Sequence, residues 1–242
     1  MQSAKADILK NLQEDILRLQ GLRVADNILL NEILGPIADA FPNRSFPIGS
    51  VHEFLSPCPE DLAATSGFLC GLLSSLIGND GAVLWISSSR KLFPPALKNF
   101  AIDPEKFIFI DAREEKEVLW ALDESLKCGA LAGVVGELND LNFIASRRLQ
   151  LAVEKSNVTG FVLNSNQRLN TTACVSRWKI TSLPSEKFEG LPGIGFPKWK
   201  VELQRIRNGR PGVWDIQWTK EGFRQVRKEL VSSLFELQKK AG

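Results

Sequence analysis

The stretch Phe46-Pro-Ile-Gly-Ser-Val-His-Glu-Phe-Leu-Ser-Pro-Cys-Pro-Glu-Asp-Leu-Ala-Ala-Thr-Ser-Gly67 decides how the chain is read. Val51–Leu55 reads as a buried strand and Leu62–Ile77 as an apolar helix, with a short loop between them. Strand, loop and helix in this order form the frame of a phosphate-binding loop. In such a loop glycines let backbone N–H groups cradle the phosphates, and a lysine meets the β- and γ-phosphates. Here the glycine and lysine are missing. No lysine or arginine occurs between Arg44 and Arg90, and the loop carries Glu60 and Asp61, which would repel a polyphosphate. Pro57 and Pro59 each lack an N–H to offer. The frame points away from catalysis and toward binding.

Outward from this stretch, strands and helices alternate. Ala82–Ser87, Phe107–Asp111, Leu131–Gly136 and Thr159–Leu163 are short apolar runs that read as strands. Phe93–Phe100, Glu114–Cys128 and Asn142–Ser156 read as helices between them. Continuous apolar strands separated by helices predict a mostly parallel sheet covered on both faces, an α/β fold. Beyond Asn164 the pattern changes. Thr172–Thr181, Trp199–Arg207 and Val213–Trp218 alternate as strands do, and Asn208-Gly-Arg-Pro-Gly212 joins the last two as a hairpin. Thr219–Lys240 reads as a final helix, with Phe223, Val226, Leu230, Leu234 and Leu237 on one face. Residues 5–34 read as helix broken at Gly21. Leu9, Leu12, Ile16 and Leu19 form a seam in the first piece, and Gly35-Pro36 closes the second. The expected division is a helical segment over residues 1–40, an α/β core over 41–183, and a basic hairpin with a helix over 184–242.

Composition limits the function classes. The chain has 242 residues, 44% hydrophobic and 24% charged, as in ordinary globular proteins. No apolar run is long enough to cross a membrane, and the first residues do not resemble a secretory signal. The four cysteines (Cys58, Cys70, Cys128 and Cys174) are widely spaced, which suits reduced thiols in a cytoplasmic protein rather than zinc or disulfides. Net charge is +2 but uneven: residues 168–242 hold 15 Lys and Arg against 7 Asp and Glu, so the C-terminal part is the one suited to an anionic partner. His52, the one histidine, lies on the first core strand, where a structural, hydrogen-bonded role is expected rather than that of a catalytic base. No histidine–cysteine cluster suggests a metal. Gly193-Ile-Gly195 is not followed by a helix, so it does not read as a dinucleotide loop.

The order of elements from Phe46 to Thr181 resembles the RecA core. Within that superfamily the chain is similar to the ImuA family, RecA-like accessory proteins of bacterial mutagenic translesion synthesis. The phrases that carry this are Phe46-Pro-Ile-Gly-Ser-Val-His-Glu-Phe54, Val118-Leu-Trp-Ala-Leu122, Leu131-Ala-Gly-Val-Val-Gly-Glu137, Ala145-Ser-Arg-Arg-Leu-Gln-Leu-Ala152, Arg177-Trp-Lys-Ile180, and Trp199-Lys-Val-Glu-Leu-Gln-Arg205 followed by Gly209-Arg-Pro-Gly212. The resemblance implies a RecA-like fold and DNA-damage repair within the SOS response. It implies two partners: an ImuB-type homologue of Y-family polymerases and an error-prone DnaE-type polymerase. RecA itself and single-stranded DNA are further expected contacts.

Set against an active RecA-type ATPase, three features are lost. Ser56 replaces a loop glycine, and Asp61, Leu62 and Ala63, or Ala64 in a shifted register, fall where Gly-Lys-Thr belongs. Ser89 takes the place of the glutamate that polarises water, and serine is no base at neutral pH. Gly136 takes the place of the metal-binding aspartate, and Glu137, one residue on, would face the other way along a strand. No cofactor is expected. The alternatives to a non-catalytic adaptor are a DNA-stimulated ATPase with an atypical pocket and a SulA-like inhibitor of cell division.

The resemblance directs DNA to the loops Glu137–Phe143 and Asn164–Thr172, the second with Arg168. Arg147 and Arg148 are candidates for a partner or phosphate contact or, as the commoner outcome, for ion pairs within the chain. The hairpin offers Lys198, Lys200, Arg205, Arg207 and Arg210 interleaved with Trp199, Trp214 and Trp218, a pattern suited to single-stranded nucleic acid or, alternatively, to core tryptophans flanked by cations. Period-2 alternation puts Arg205 and Arg207 on one face with Trp199, Val201 and Leu203 unless a bulge intervenes.

Overall fold

The computed structural model describes residues 23–24, 28–78, 81–166, 170–185 and 195–226. β1 (Arg23–Val24) pairs antiparallel with β2 (Pro47–Ile48), and α1 (Ile28–Leu34) runs into a 3-10 turn at Gly35–Ala40. Arg23–Val24 is therefore extended where the apolar spacing predicts helix: pairing with β2 satisfies backbone groups that a helix would satisfy internally. The seam Leu9 to Leu19 lies outside the described residues. The second piece packs on the body of the chain, with Leu30, Leu34 and Ile37 in the core.

β3 (Val51–Leu55) leads into α2 (Pro59–Leu76). Then follow β4 (Ala82–Ser87), a 3-10 helix at Pro94–Phe100, β5 (Phe107–Asp111), α3 (Glu115–Ser125), β6 (Leu131–Leu138), α4 (Phe143–Ser156) and β7 (Thr159–Asn164). β8 (Ser176–Leu183), β9 (Lys198–Ile206), β10 (Gly212–Thr219) and β11 (Gly222–Gln225) complete one nine-stranded sheet of order β11-β10-β9-β8-β3-β7-β6-β4-β5. From β5 to β8 neighbours are parallel; from β8 to β11 they are antiparallel. The hairpin is thus a continuation of the core sheet.

Two apolar layers cover the sheet. α2, α1 and the hairpin share one with Phe54, Phe68, Trp85, Phe161, Trp178 and Trp199. α3 and α4 share the other with Val51, Ile86, Val134 and Val162. The parallel strands are buried on both faces, so their sequences are continuous apolar runs.

Gly222–Gln225, read from its spacing as the start of the final helix, is a strand. It pairs with β10 through Thr219↔Gly222 to Ile216↔Gln225, and Phe223 is buried against Phe68 and Trp218. Gly222 makes the reversal possible. Its φ of +111° is open to glycine, and a Cβ there would lie 2.8 Å from Ile33 Cα. The remainder of that expected helix, from residue 227, lies outside the described residues.

Candidate functional site

The carboxyl ends of β3, β4 and β6 gather the residues of the expected nucleotide site at one edge of the parallel sheet, where open α/β sheets hold ligands. The connection from β3 to α2 is only Ser56-Pro57-Cys58, because Pro59 already occupies the first turn of α2. Proline suits that position, its fixed φ being helical and its missing N–H costing nothing there. The helix thus fills the space in which a phosphate loop would open. Ser56 is buried: its N–H donates to Asn164 O at 2.8 Å and its Oγ–H to Thr65 Oγ1 at 3.0 Å. Asp61 and Ala64 are also buried, whereas Ala63 is exposed on the outer face of α2.

The aspartate position is closed by packing. Gly136 backs onto α3, and a Cβ added to it would meet Leu122 Cδ2 at 2.9 Å. β6 continues two residues past the expected end, so Glu137 lies within the strand and faces away from Leu122. There its Oε1 accepts from Trp85 Nε1 at 2.8 Å and its Oε2 from the Ser89 hydroxyl at 3.2 Å. The residue standing in for the water-polarising glutamate is thus a hydrogen-bond donor to the nearest carboxylate.

His52 is a core residue. Nε2–H donates to Pro47 O at 2.8 Å and Nδ1 takes the Ser176 hydroxyl at 2.6 Å, while the ring stacks on Phe46 at 4.4 Å. Burial lowers its pKa to about 4, so it is neutral. Burial also pushes the Cys70 and Cys174 thiols up to about 12, which makes them inert. Among the described residues, no cluster of His, Cys, Asp or Glu is arranged to hold a metal, and no helix is long and apolar enough to cross a membrane.

A buried polar network ties the loop before β8 to the sheet. Glu53, 1% exposed, accepts from Arg177 Nε at 2.8 Å, Thr172 Oγ1 at 2.8 Å and Asn164 Nδ2 at 2.9 Å. Arg205 joins from β9, donating to Thr172 O and Cys174 O, each at 3.0 Å. A bulge puts it there: Arg177 pairs with Arg205 but Trp178 with Leu203, so Arg205 turns to the face opposite Leu203. The alternation places Arg205 beside Trp199 and Leu203 only without a bulge, and the bulge is present.

The other expected anion-binding residues are dispersed. Lys198 is buried, Lys200 and Arg210 are exposed, and Arg207 is half-buried. Trp199 and Trp218 belong to the core and are not an exposed stacking surface; Trp214 packs against the same core. Arg147 lies 3.9 Å from Glu154 and Arg148 3.5 Å from Asp123, ion pairs within the chain. The loops after β6 and β7 bond to each other through Asp140, whose Oδ1 accepts from Asn166 and Asn170 at 2.7 Å each. Arg168 lies outside the described residues. Sequence reasoning missed a cavity of about 1260 Å³ beside α2, walled by the segment Lys91–Ala101 and by the ends of β9 and β10. Its walls come from elements far apart in the chain, so no local pattern announces it.

No protein-family model matches the chain. A curated relative, Protein ImuA of Caulobacter vibrioides (strain NA1000 / CB15N), is 34% identical over 211 residues, covering 82% of this chain and 86% of that protein. This chain belongs to the ImuA family. Protein ImuA of Caulobacter vibrioides strain ATCC 19089 / CIP 103742 / CB 15 matches with the same figures. Among solved structures, the crystal structure of the RadB recombinase aligns with a TM-score of 0.52 and 18% identity, covering 76% of this chain and 93% of that one. The RecA-like fold expected of an ImuA relative is therefore the fold observed.

Proposed function

We propose that the chain is a non-catalytic, cytoplasmic adaptor of mutagenic translesion synthesis, joining an ImuB-type polymerase homologue to an error-prone DnaE-type polymerase. Membership of the ImuA family supports the process. The β3–α2 connection carries the non-catalytic part: only three residues separate β3 from α2, which starts at Pro59, and the buried Ser56–Thr65 hydrogen bond occupies the place of a phosphate cradle. Phosphoryl transfer depends on positioning and on charge stabilisation by lysine and metal. Asp61, Leu62 and Gly136 provide neither at the matching positions. An adaptor needs only the fold and its surfaces.

The test is co-purification of the full chain with the ImuB-type protein of the same bacterium, alongside filter-binding of labelled ATP with and without single-stranded DNA. A complex at micromolar concentration without ATP retention is the expected result. No complex would overturn the reading; ATP retention stimulated by DNA would favour an ATPase instead. Filamentation on expression, without any effect on mutagenesis, would favour a SulA-like inhibitor of division.

A further inference from the structure

We propose that the cavity beside α2 is the docking groove for an acidic, amphipathic segment of a protein partner. This rests on the adaptor reading and assigns it a surface and a chemistry. α2 contributes Leu62 and the exposed Ala63, the segment after β4 contributes Leu92 and Phe100, and the sheet contributes Trp199 and Trp218. At about 1260 Å³ the cavity exceeds the roughly 300–1,000 Å³ typical of small-ligand sites, which favours a larger occupant such as a peptide segment. A mainly apolar recess of this size, open to water, is the usual mark of an interaction site. Its floor is already packed: α2 sits so close to the sheet that a Cβ on Gly67 would meet Trp199 Cζ2 at 2.9 Å. A rigid floor lowers the ordering cost of binding.

The rim decides which partner fits. Its charged residues are Lys91, Lys98 and Lys220, with Glu60 as the one acid among the described lining residues. The three lysines come from the segment after β4, the 3-10 helix and the β10–β11 turn. Each is exposed, and none of the three side-chain ammonium groups has an ion-pair or hydrogen-bond partner among the described residues. Three unpaired cations around an apolar floor match a segment with acids flanking apolar residues at helical spacing, the helix-in-groove mode of recognition.

Single-stranded DNA fits less well. The described lining has no arginine, and Trp199 and Trp218, 4% and 7% exposed, offer no ring face to a stacked base. A nucleotide fits less well too, because Glu60 stands in the first turn of α2 and the loop before it has no lysine.

The experiment uses the full chain and fluorescence polarisation with labelled, overlapping peptides covering the ImuB-type protein. A peptide rich in Asp or Glu with apolar residues at helical spacing is expected to bind, more weakly as salt rises. The triple variant Lys91→Glu, Lys98→Glu, Lys220→Glu and the groove-filling Ala63→Trp are each expected to weaken it tenfold or more. All four changes are at exposed positions, and circular dichroism checks that the fold is kept. If both variants bind the peptide and the whole partner as well as the wild type does, the groove assignment fails while the adaptor reading stands. A wild-type chain that captures neither partner nor peptide overturns both. Charge reversal that removes oligo-dT binding while sparing the peptide also overturns the assignment.

Discussion

Trp85 Nε1 donates to Glu137 Oε1 at 2.8 Å and ties β4 to β6 on the face that α2 covers. Trp85 is 1% exposed, so this carboxylate is the acceptor for an indole that water does not reach. Glu137→Ala leaves that donor unsatisfied and should cost about 1–3 kcal/mol. Glu137→Gln keeps an acceptor and should cost less. Urea denaturation of the two variants measures the order. Equal loss in both would mean that Glu137 contributes to stability through its charge and not as a tether for Trp85.

His52 makes stability depend on pH. Its pKa is about 4 in the folded chain because burial disfavours the charged ring, against 6.5 when unfolded. Above 6.5 both states are neutral and its contribution is complete. As pH falls from 6.5 toward 4, the unfolded chain takes up a proton that the folded chain refuses, and stability is lost; below 4 the loss levels off. The 2.5-unit difference corresponds to a loss on the order of 3 kcal/mol. Melting temperature measured from pH 7.5 to 4 should show this fall, and a His52→Gln variant should start lower and show a flatter dependence.

The strands around the site were legible because burial on both faces leaves unbroken apolar runs. Val51–Leu55, Ala82–Ser87 and Phe107–Asp111 stand where those runs stand. Contacts across long stretches of chain were not legible. Ser176 Oγ, which fixes His52, is 124 residues away from it. A bulge leaves no trace in a period-2 pattern, so the sequence leaves the face of Arg205 conditional and the register of β8 with β9 decides it. The spacing of Phe223 and Val226 fits a helical seam; what makes Gly222–Gln225 a strand is the open edge of β10, which local spacing does not contain. The expected nucleotide residues do converge at one sheet edge, but only the structure shows Leu122 closing the place of the aspartate.

The hairpin and α2 meet at Gly71. A Cβ there would lie 2.7 Å from Phe223 Cζ and 2.9 Å from Trp218 Cζ3. Overpacking of this kind costs about 1–3 kcal/mol, partly offset by up to about 1 kcal/mol from the better helix propensity of alanine. Gly71→Ala should therefore lower the melting temperature even though it improves the helix locally. Combining it with Phe223→Leu should be less damaging than the sum of the two, since the smaller side chain gives the new methyl room. Additive losses would mean that β11 does not pack on α2 as described.

Restoring consensus side chains should not restore a nucleotide site. Asp61→Gly with Leu62→Lys returns a glycine and a lysine to the matching positions, which here lie in the first turns of α2. However, Pro59 has already begun the helix, so the backbone cannot open into a cradle. Gly136→Asp adds the missing carboxylate, but its first carbon would come 2.9 Å from Leu122 Cδ2 in a layer where Leu122 is fully buried. Strain and a desolvated charge would follow, with a combined loss of about 3 kcal/mol or more. The triple variant is expected to bind no labelled ATP in filter assays and to melt below the wild type. Measurable ATP retention by it would show that only side chains, and not the backbone of this loop, separate the site from a working one.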